Sequence, residues 1–232
     1  MPKKKNKVPL HPMERKISLK NMSDITWRIF RIMSEFVEGF EFLAQFKKEV
    51  TIFGSARLPQ SSKWCKEAEK MGAILAKHGF TVITGGGPSI MEAGNKGAYK
   101  VDPKKSIGIN IQLPMEQRTN PYVTKSKGFY YFFTRKVMLA ASAQAYIFFP
   151  GGFGTADEAI EMIMLVQTGK MQKTPIVLIG KDFWQSFVDW VEKTMIKKYQ
   201  TIKPADRNIF KVVDSAQEAY RYIKKSRERT IF

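Results

Sequence analysis

The sequence predicts an α/β fold: a single doubly wound, Rossmann-like parallel sheet with flanking helices and an added N-terminal helix. Three observations predict it. Short β-rich runs alternate with stretches of helical periodicity along most of the chain, the pattern of βαβ units whose parallel sheet is covered on both faces. Three of the β-rich runs end in glycine turns, at Gly54-Ser55, Gly85-Gly86-Gly87 and Gly151-Gly152-Phe153-Gly154. With 232 residues, 44% of them apolar, the chain can bury one full core and is too apolar to stay disordered.

Each element follows in order. Residues 1–22, with Pro2, Pro9 and Pro12 among lysines, are expected to form a basic flexible arm. From 23 to 48, Ile25, Ile29, Ile32, Met33, Phe36, Val37, Phe40 and Leu43 recur at helical spacing and predict an amphipathic helix ahead of the main domain. Residues 49–232 then form the Rossmann-like domain. "EVTIFGSARLP" is a first strand and its turn, and a helix from Ser62 to His78 is closed by Gly79. "FTVITGGG" is a second strand, and "PSIMEAGNKGAYK" opens a helix with Pro88 at its start. "KSIGINIQLP" is the third strand, "GFYYFF" the fourth, and "TRKVMLAASA" a helix. "AYIFFPGG" is the fifth strand, followed by the helix "TADEAIEMIMLVQTGK". "TPIVLIG", the helical "DFWQSFVDWVEKTMIKKY", the strand "IFKVVD" and the helix "SAQEAYRYIKKSR" complete the series. Ligands of such sheets bind beyond the C-terminal ends of the strands. The three glycine turns are therefore expected to line one crevice.

The net charge of +18 suggests nucleic acid, but its distribution does not. Residues 1–20 hold seven Lys/Arg against Glu14, and residues 221–232 hold five against Glu228, so more than half of the excess sits at the ends. Basic ends are more often solvated than they are specific readers, and no helix-turn-helix, zinc or aromatic-interleaved signature accompanies them. Specific nucleic-acid binding is not expected; a basic body suits anionic, phosphorylated substrates. No apolar run approaches the ~20 residues of a membrane helix, and the N-terminus lacks the apolar stretch of a secretory signal. The single cysteine, Cys65, cannot form an internal disulfide, which points to a reducing, cytoplasmic setting. His11 and His78 are isolated, so no metal site is expected.

The stretch "FFPGGFGTADEAIE", residues 148–161, carries the chemistry. The dinucleotide fingerprint fails here, because the third glycine it needs is replaced by Asp157, and neither Gly169-Lys170 nor Gly180-Lys181 continues as a P-loop. A phosphate site still makes sense. Gly151, Gly152 and Gly154 free backbone N–H groups after Pro150, and Thr155 is expected to open a helix whose positive end favours an anion. Glu158, three residues on, faces the same side and would lie against a sugar. The competing reading makes Thr155 an N-cap and Glu158 its capping-box partner.

"PGGFGTADE" matches the PGGxGTxxE motif of the LOG-like family, the cytokinin riboside 5′-monophosphate phosphoribohydrolases often labelled "lysine decarboxylase-like". "TGGGPSIMEAGNKGA" resembles that family's second glycine-rich motif, "LPMEQRTNPYVT" its substrate-side loop and "FFTRKVML" its Arg-Lys helix. The resemblance runs from about Val50 to Gly180; the N-terminal helix and arm lie outside it and resemble the larger bacterial members. It implies hydrolysis of the N-glycosidic bond of a nucleoside 5′-monophosphate, AMP or a cytokinin riboside 5′-monophosphate, to free base and ribose 5-phosphate, with no cofactor. It implies Glu158 and Arg135 as the catalytic pair, with Lys136 and Glu116 as substrate contacts. Gly54, Ser55, Gly86 and Gly87 are expected along the crevice, with Pro150, Gly151, Gly152, Gly154 and Thr155 on the phosphate side. Decarboxylation is not expected, since no lysine stands in a recognisable Schiff-base context. A homo-oligomer is expected from the helix after Thr155, apolar on several sides through "IEMIMLV". The alternative is a nucleotide-binding or sensing protein without turnover.

Overall fold

Runs of β-branched and aromatic residues place one parallel sheet at the centre of the molecule. The computed structural model describes residues 22–112 and 119–228. Among these, β1 (Glu49–Phe53), β2 (Thr81–Thr84), β3 (Ser106–Ile111), β4 (Lys125–Phe129), β5 (Ala145–Phe148), β6 (Ile176–Ile179) and β7 (Phe210–Val213) lie in the order β4-β3-β2-β1-β5-β6-β7. Every adjacent pair is parallel. The α-helices are α1 (Met22–Leu43), α2 (Lys63–Lys77), α3 (Ile90–Val101), α4 (Phe132–Ala141), α5 (Phe153–Gln167), α6 (Lys181–Asp189) and α7 (Ala216–Ile223).

Side chains alternate between the two faces of a strand, so each strand feeds two cores. Val50 and Ile52, Ala145 and Ile147, and Val177 and Ile179 pack with Met71 and Leu75 of α2, Ile90 of α3 and Ile223 of α7. Phe53, Tyr146, Phe148 and Leu178 face the other way, onto Met138 of α4, Met162 of α5 and Trp184 of α6. Cover on both faces is why these strands read as unbroken apolar runs. Cys65 is buried in the first core as a packing residue, just beyond the Ser62 side chain that caps α2 by accepting its N–H.

The strand order reverses at β1. The chain steps outward from β1 to β4 on one side, then returns to lay β5 against the other side of β1. The connections that follow β1 and β5 therefore diverge, and the crevice between them is the topological switch point at which open α/β sheets hold ligands.

Three elements differ from the sequence reading. Of "GFYYFF" only Gly128 and Phe129 lie in β4, which instead begins at Lys125. β4 is an edge strand, and its exposed Lys125 and Ser126 hid it from an apolar search. The run 182–199 is not one α-helix: α6 ends at Asp189 and continues as a π-helical segment, Trp190–Lys198. The N-terminal helix ends at Leu43, and the face it buries is not its most apolar one. Glu35 and Gly39 are buried, while Met33 and Val37 are more than half exposed.

Candidate active site

The crevice at the switch point is a cavity of about 830 Å³. Its walls are the turn after β1 with Gly54, Ser55 and Arg57, Gly85 after β2, Phe132 and Arg135 of α4, and the stretch from Gly151 to Glu158 that leads into α5. The Ser55 N–H donates to the Pro150 carbonyl at 3.0 Å, tying the first wall to the last.

α5 begins at Phe153 with Gly152 as its cap, and among the described residues no side chain caps it. Its first-turn N–H groups thus stand at the cavity wall, where an anion gains from both the donors and the helix dipole. Gly151 is required by packing: a Cβ there would sit 2.2 Å from Thr155 Oγ1. Gly152 and Gly154 are different. A Cβ on either would meet nothing within 4 Å among the described residues, so packing there leaves these glycines unexplained and the open cavity in front of them accounts for their size. Opposite outcomes follow. Gly151→Ala should cost about 1–3 kcal/mol of stability from overpacking. Gly154→Leu, in the first turn of α5, should melt no lower than the native protein, since leucine is the better helix former, yet lose at least about tenfold in AMP affinity as the side chain fills the cavity. Thermal melts and AMP titration of the two variants check this; undiminished AMP binding by Gly154→Leu would contradict it.

Glu158 lies one turn into α5 on the cavity wall and is only 7% exposed. Its Oε2 is buried without a hydrogen-bond partner among the described residues. Thr155 is the third residue of α5 and not its cap, so the capping-box reading of Glu158 is overturned. Burial pushes the carboxyl up to about 7, against the pull of Lys136 and Arg135, while Glu161 and Asp157 add like charge. A desolvated carboxyl poised near neutrality inside a cleft, with an oxygen left unpaired among the described residues, is a signature of a functional site.

Arg135 reaches the same cavity from α4. Its Nε donates to the Ile109 carbonyl at the end of β3, 2.9 Å away, which leaves the terminal nitrogens directed past β2. There a Cβ on Gly85 would lie 2.5 Å from Nη2, so the missing side chain at 85 gives the guanidinium its place. Desolvation weakens its hold on the proton, and attraction to Glu158 strengthens it.

The structure brings Gly54, Ser55, Arg135, Gly151, Gly152, Gly154, Thr155 and Glu158 to one cavity. Other candidates stand behind it. Pro150 contributes its carbonyl to the Ser55 bond. Gly86 has φ +69°, which disfavours other residues, and its N–H donates to Thr84 Oγ1; the Gly87 carbonyl accepts from Asn120 Nδ2. Lys136 is held between carboxylates of α5, 2.8 Å from Asp157 Oδ2 and 2.9 Å from Glu161 Oε2. Its charge is the strongest pull favouring ionised Glu158. Glu116 lies outside the described residues. Sequence reasoning passed over Arg57, Phe132 and Phe153, an exposed cation and two exposed aromatics on the walls. The signal was their position beside glycine turns and at a helix start.

Comparison with known proteins adds four findings. A family model described as possible lysine decarboxylase matches residues 91–223. The chain is similar to a probable cytokinin riboside 5′-monophosphate phosphoribohydrolase of Oryza sativa subsp. japonica, 24% identical over 185 residues that cover 78% of this chain and 72% of that protein. It is also similar to the pyrimidine/purine nucleotide 5′-monophosphate nucleosidase of Escherichia coli (strain K12), 27% identical over 172 residues, 68% of this chain but 37% of that longer protein. Among solved structures, the molybdenum cofactor binding protein of Rippkaea orientalis superposes with a TM-score of 0.57 at 19% identity, over 77% of this chain and 96% of that one. At that identity the likeness concerns the fold alone.

Proposed function

The chain belongs to the LOG-like family, the one described as possible lysine decarboxylase, and on that footing we propose that it hydrolyses the N-glycosidic bond of an AMP-like nucleoside 5′-monophosphate. The observation that carries this reading is Glu158, a buried carboxyl whose Oε2 has no partner among the described residues, set in one cavity with Arg135 and the start of α5. The phosphate takes the turn at Gly151–Gly154 and the α5 N-terminus. The sugar then lies against Glu158, and the exposed rings of Phe132 and Phe153 offer the base a surface to stack on. As the bond from C1′ to the base nitrogen breaks, its electron pair leaves with the base and the sugar gains cationic character. Ionised Glu158 stabilises that charge and orients water, as carboxylates do in glycoside hydrolysis. Water adds to C1′ and gives up a proton, and the base nitrogen gains one. Arg135 stabilises the charge growing on the departing base or holds the nucleotide. The names of the two relatives both denote loss of the base from a nucleotide monophosphate. A decarboxylase is not favoured: among the described residues no lysine lines the cavity to form a Schiff base.

Lys136 acts in this reading as the fixed charge that keeps Glu158 ionisable, rather than as a ligand contact. The ionised form does the work, so kcat should rise with pH through about 7. Lys136→Met should move this acid limb to higher pH, because the largest pull toward the ionised form is gone. pH profiles of both proteins check it, and an unmoved limb would refute the role. Exposed apolar side chains on α1 (Trp27, Phe30, Met33, Val37) and α5 (Ile160, Met164) support assembly as a homo-oligomer. The lone, buried Cys65 suits a cytoplasmic setting. No helix among the described residues is long and apolar enough to cross a membrane.

Incubation with AMP tests the proposal directly. Adenine and ribose 5-phosphate are expected in equal amounts. Thermal stabilisation by AMP with no adenine released would replace hydrolysis with nucleotide sensing. Neither binding nor release across a panel of 5′-monophosphates would overturn the reading.

A further inference from the structure

We infer that α1 is a working part of the catalytic centre and that Glu35 is a positioning residue for Arg135. The family match begins at residue 91, so it assigns nothing to α1. The inference rests on the reading of Arg135 and Glu158 as the reacting pair.

α4 carries Arg135 but has no cap of its own: its N-cap residue, Tyr131, makes no side-chain cap bond. The cap comes instead from α1. Glu35 Oε1 accepts the Tyr130 N–H at 2.7 Å, and its Oε2 accepts the Tyr131 N–H at 3.3 Å and the Thr134 hydroxyl at 2.6 Å. This carboxylate is only 8% exposed. The start of a helix is where a buried negative charge is best tolerated, through its N–H donors and its dipole.

The rest of that α1 face grips the same segment. Arg28, Arg31 and Glu35 share a face by helical spacing. The Arg28 guanidinium lies 5.5 Å from the Tyr131 ring centre and that of Arg31 lies 5.3 Å from the Tyr130 ring centre. One turn on, a Cβ at Gly39 would sit 2.5 Å from Met138 Sδ, so the α1 backbone rests directly on α4. Residues 130–134 are thereby clamped, and Arg135 is the next residue. Its guanidinium spans the distance from this clamp to the cavity, and among the described residues its one hydrogen-bond anchor is the Ile109 carbonyl. Loosening the first turn of α4 displaces the guanidinium relative to Glu158.

Glu35→Ala and Glu35→Gln test the inference, with two controls. Glu38→Gln removes an exposed carboxylate of α1 paired with Lys127. Ile223→Val weakens the core on the opposite face of the sheet. For AMP cleavage, Glu35→Ala should lower kcat/KM about tenfold and Glu35→Gln about threefold, the amide keeping one acceptor oxygen. Both should move the acid limb upward. Of the charged groups around Glu158, the two cations that favour ionisation, Arg135 and Lys136, come from α4, whereas Asp157 and Glu161 come from α5 and oppose it; Arg57 faces the cavity from the turn after β1. The controls should keep the wild-type kcat/KM and limb. A purely structural role predicts a lower Tm for Glu35→Gln with rate and limb unchanged, and that result overturns the inference. Should Glu35→Ala not fold, Glu35→Gln decides alone. Should the wild-type protein release no base, the hydrolase reading fails by itself, and the positioning is read from the ¹³C titration of the Glu158 carboxyl. An upward move in Glu35→Gln supports it, and an unchanged titration overturns it.

Discussion

Glu158→Gln should lower kcat for AMP hydrolysis by 10²–10³-fold or more, about 3–4 kcal/mol, while leaving AMP affinity nearly unchanged. Glutamine keeps the shape of the side chain and removes the charge that, in the proposed reaction, faces the anomeric carbon. That charge matters to the substrate only when the sugar becomes cationic; the bound ground-state sugar offers it no positive centre, and an ionised carboxylate near a phosphate is weakly repelled. Rate and affinity should therefore separate. Stability gives an independent reading of the same residue. The folded carboxyl keeps its proton up to about 7, against a usual 4.5. The native state therefore binds more protons than the unfolded chain between these values. The stability linked to this group is complete below about 4.5 and is lost as pH rises through about 7. Glutamine does not ionise and so escapes this loss, on the order of 3 kcal/mol above pH 7. The variant should melt higher than the native protein at pH 8 and alongside it at pH 4.5. A folded variant with near-native turnover would remove Glu158 from the mechanism.

Such a combination, inactive yet more stable, marks a position where function is held against folding. The sequence made that position readable because its neighbours are extreme. Three glycines and a proline in five residues have no common use but a close approach, and that signature placed the turn and Glu158 together. The sheet was equally legible, since strands buried on both faces, such as those at 145–148 and 176–179, read as continuous apolar runs.

What stayed hidden depends on partners far along the chain. Nothing local tells that Lys136 turns toward Asp157 and Glu161, because the two helices meet only in three dimensions. Gly85 was visible as part of a turn, but its use, giving room to a guanidinium fifty residues later, was not. α1 misled for a related reason. Its apolar residues announce an amphipathic helix, yet the face it buries is centred on a carboxylate whose partners lie about 95 residues away. Tyr130 and Tyr131, drawn by composition into the fourth strand, form the bend ahead of α4 and are held there by that same side chain.

Removing the 5′-phosphate should have the second large effect: adenosine is expected to be cleaved with a kcat/KM about 10³-fold below that of AMP. The phosphate is remote from the breaking bond, so its contribution is one of binding energy used for placement. The α5 start offers N–H donors not capped by Gly152, and Arg57 lines the same cavity. Hydrogen bonds to a charged group contribute about 1.5–3 kcal/mol each, so two of them supply about 4 kcal/mol, which corresponds to about three decades in rate constant. The loss should fall on kcat as well as KM. Without the anchor, the sugar is no longer fixed against Glu158, and the fraction of bound substrate with C1′ in place drops. Gly154→Leu should narrow the gap between the two substrates, because it obstructs the phosphate side of the cavity and leaves adenosine the less affected. Steady-state kinetics with AMP and adenosine on the native protein and this variant measure both quantities. Equal kcat/KM for the two substrates would show that the glycine turn does not hold the phosphate, and a gap unaltered in Gly154→Leu would place the phosphate elsewhere in the cavity.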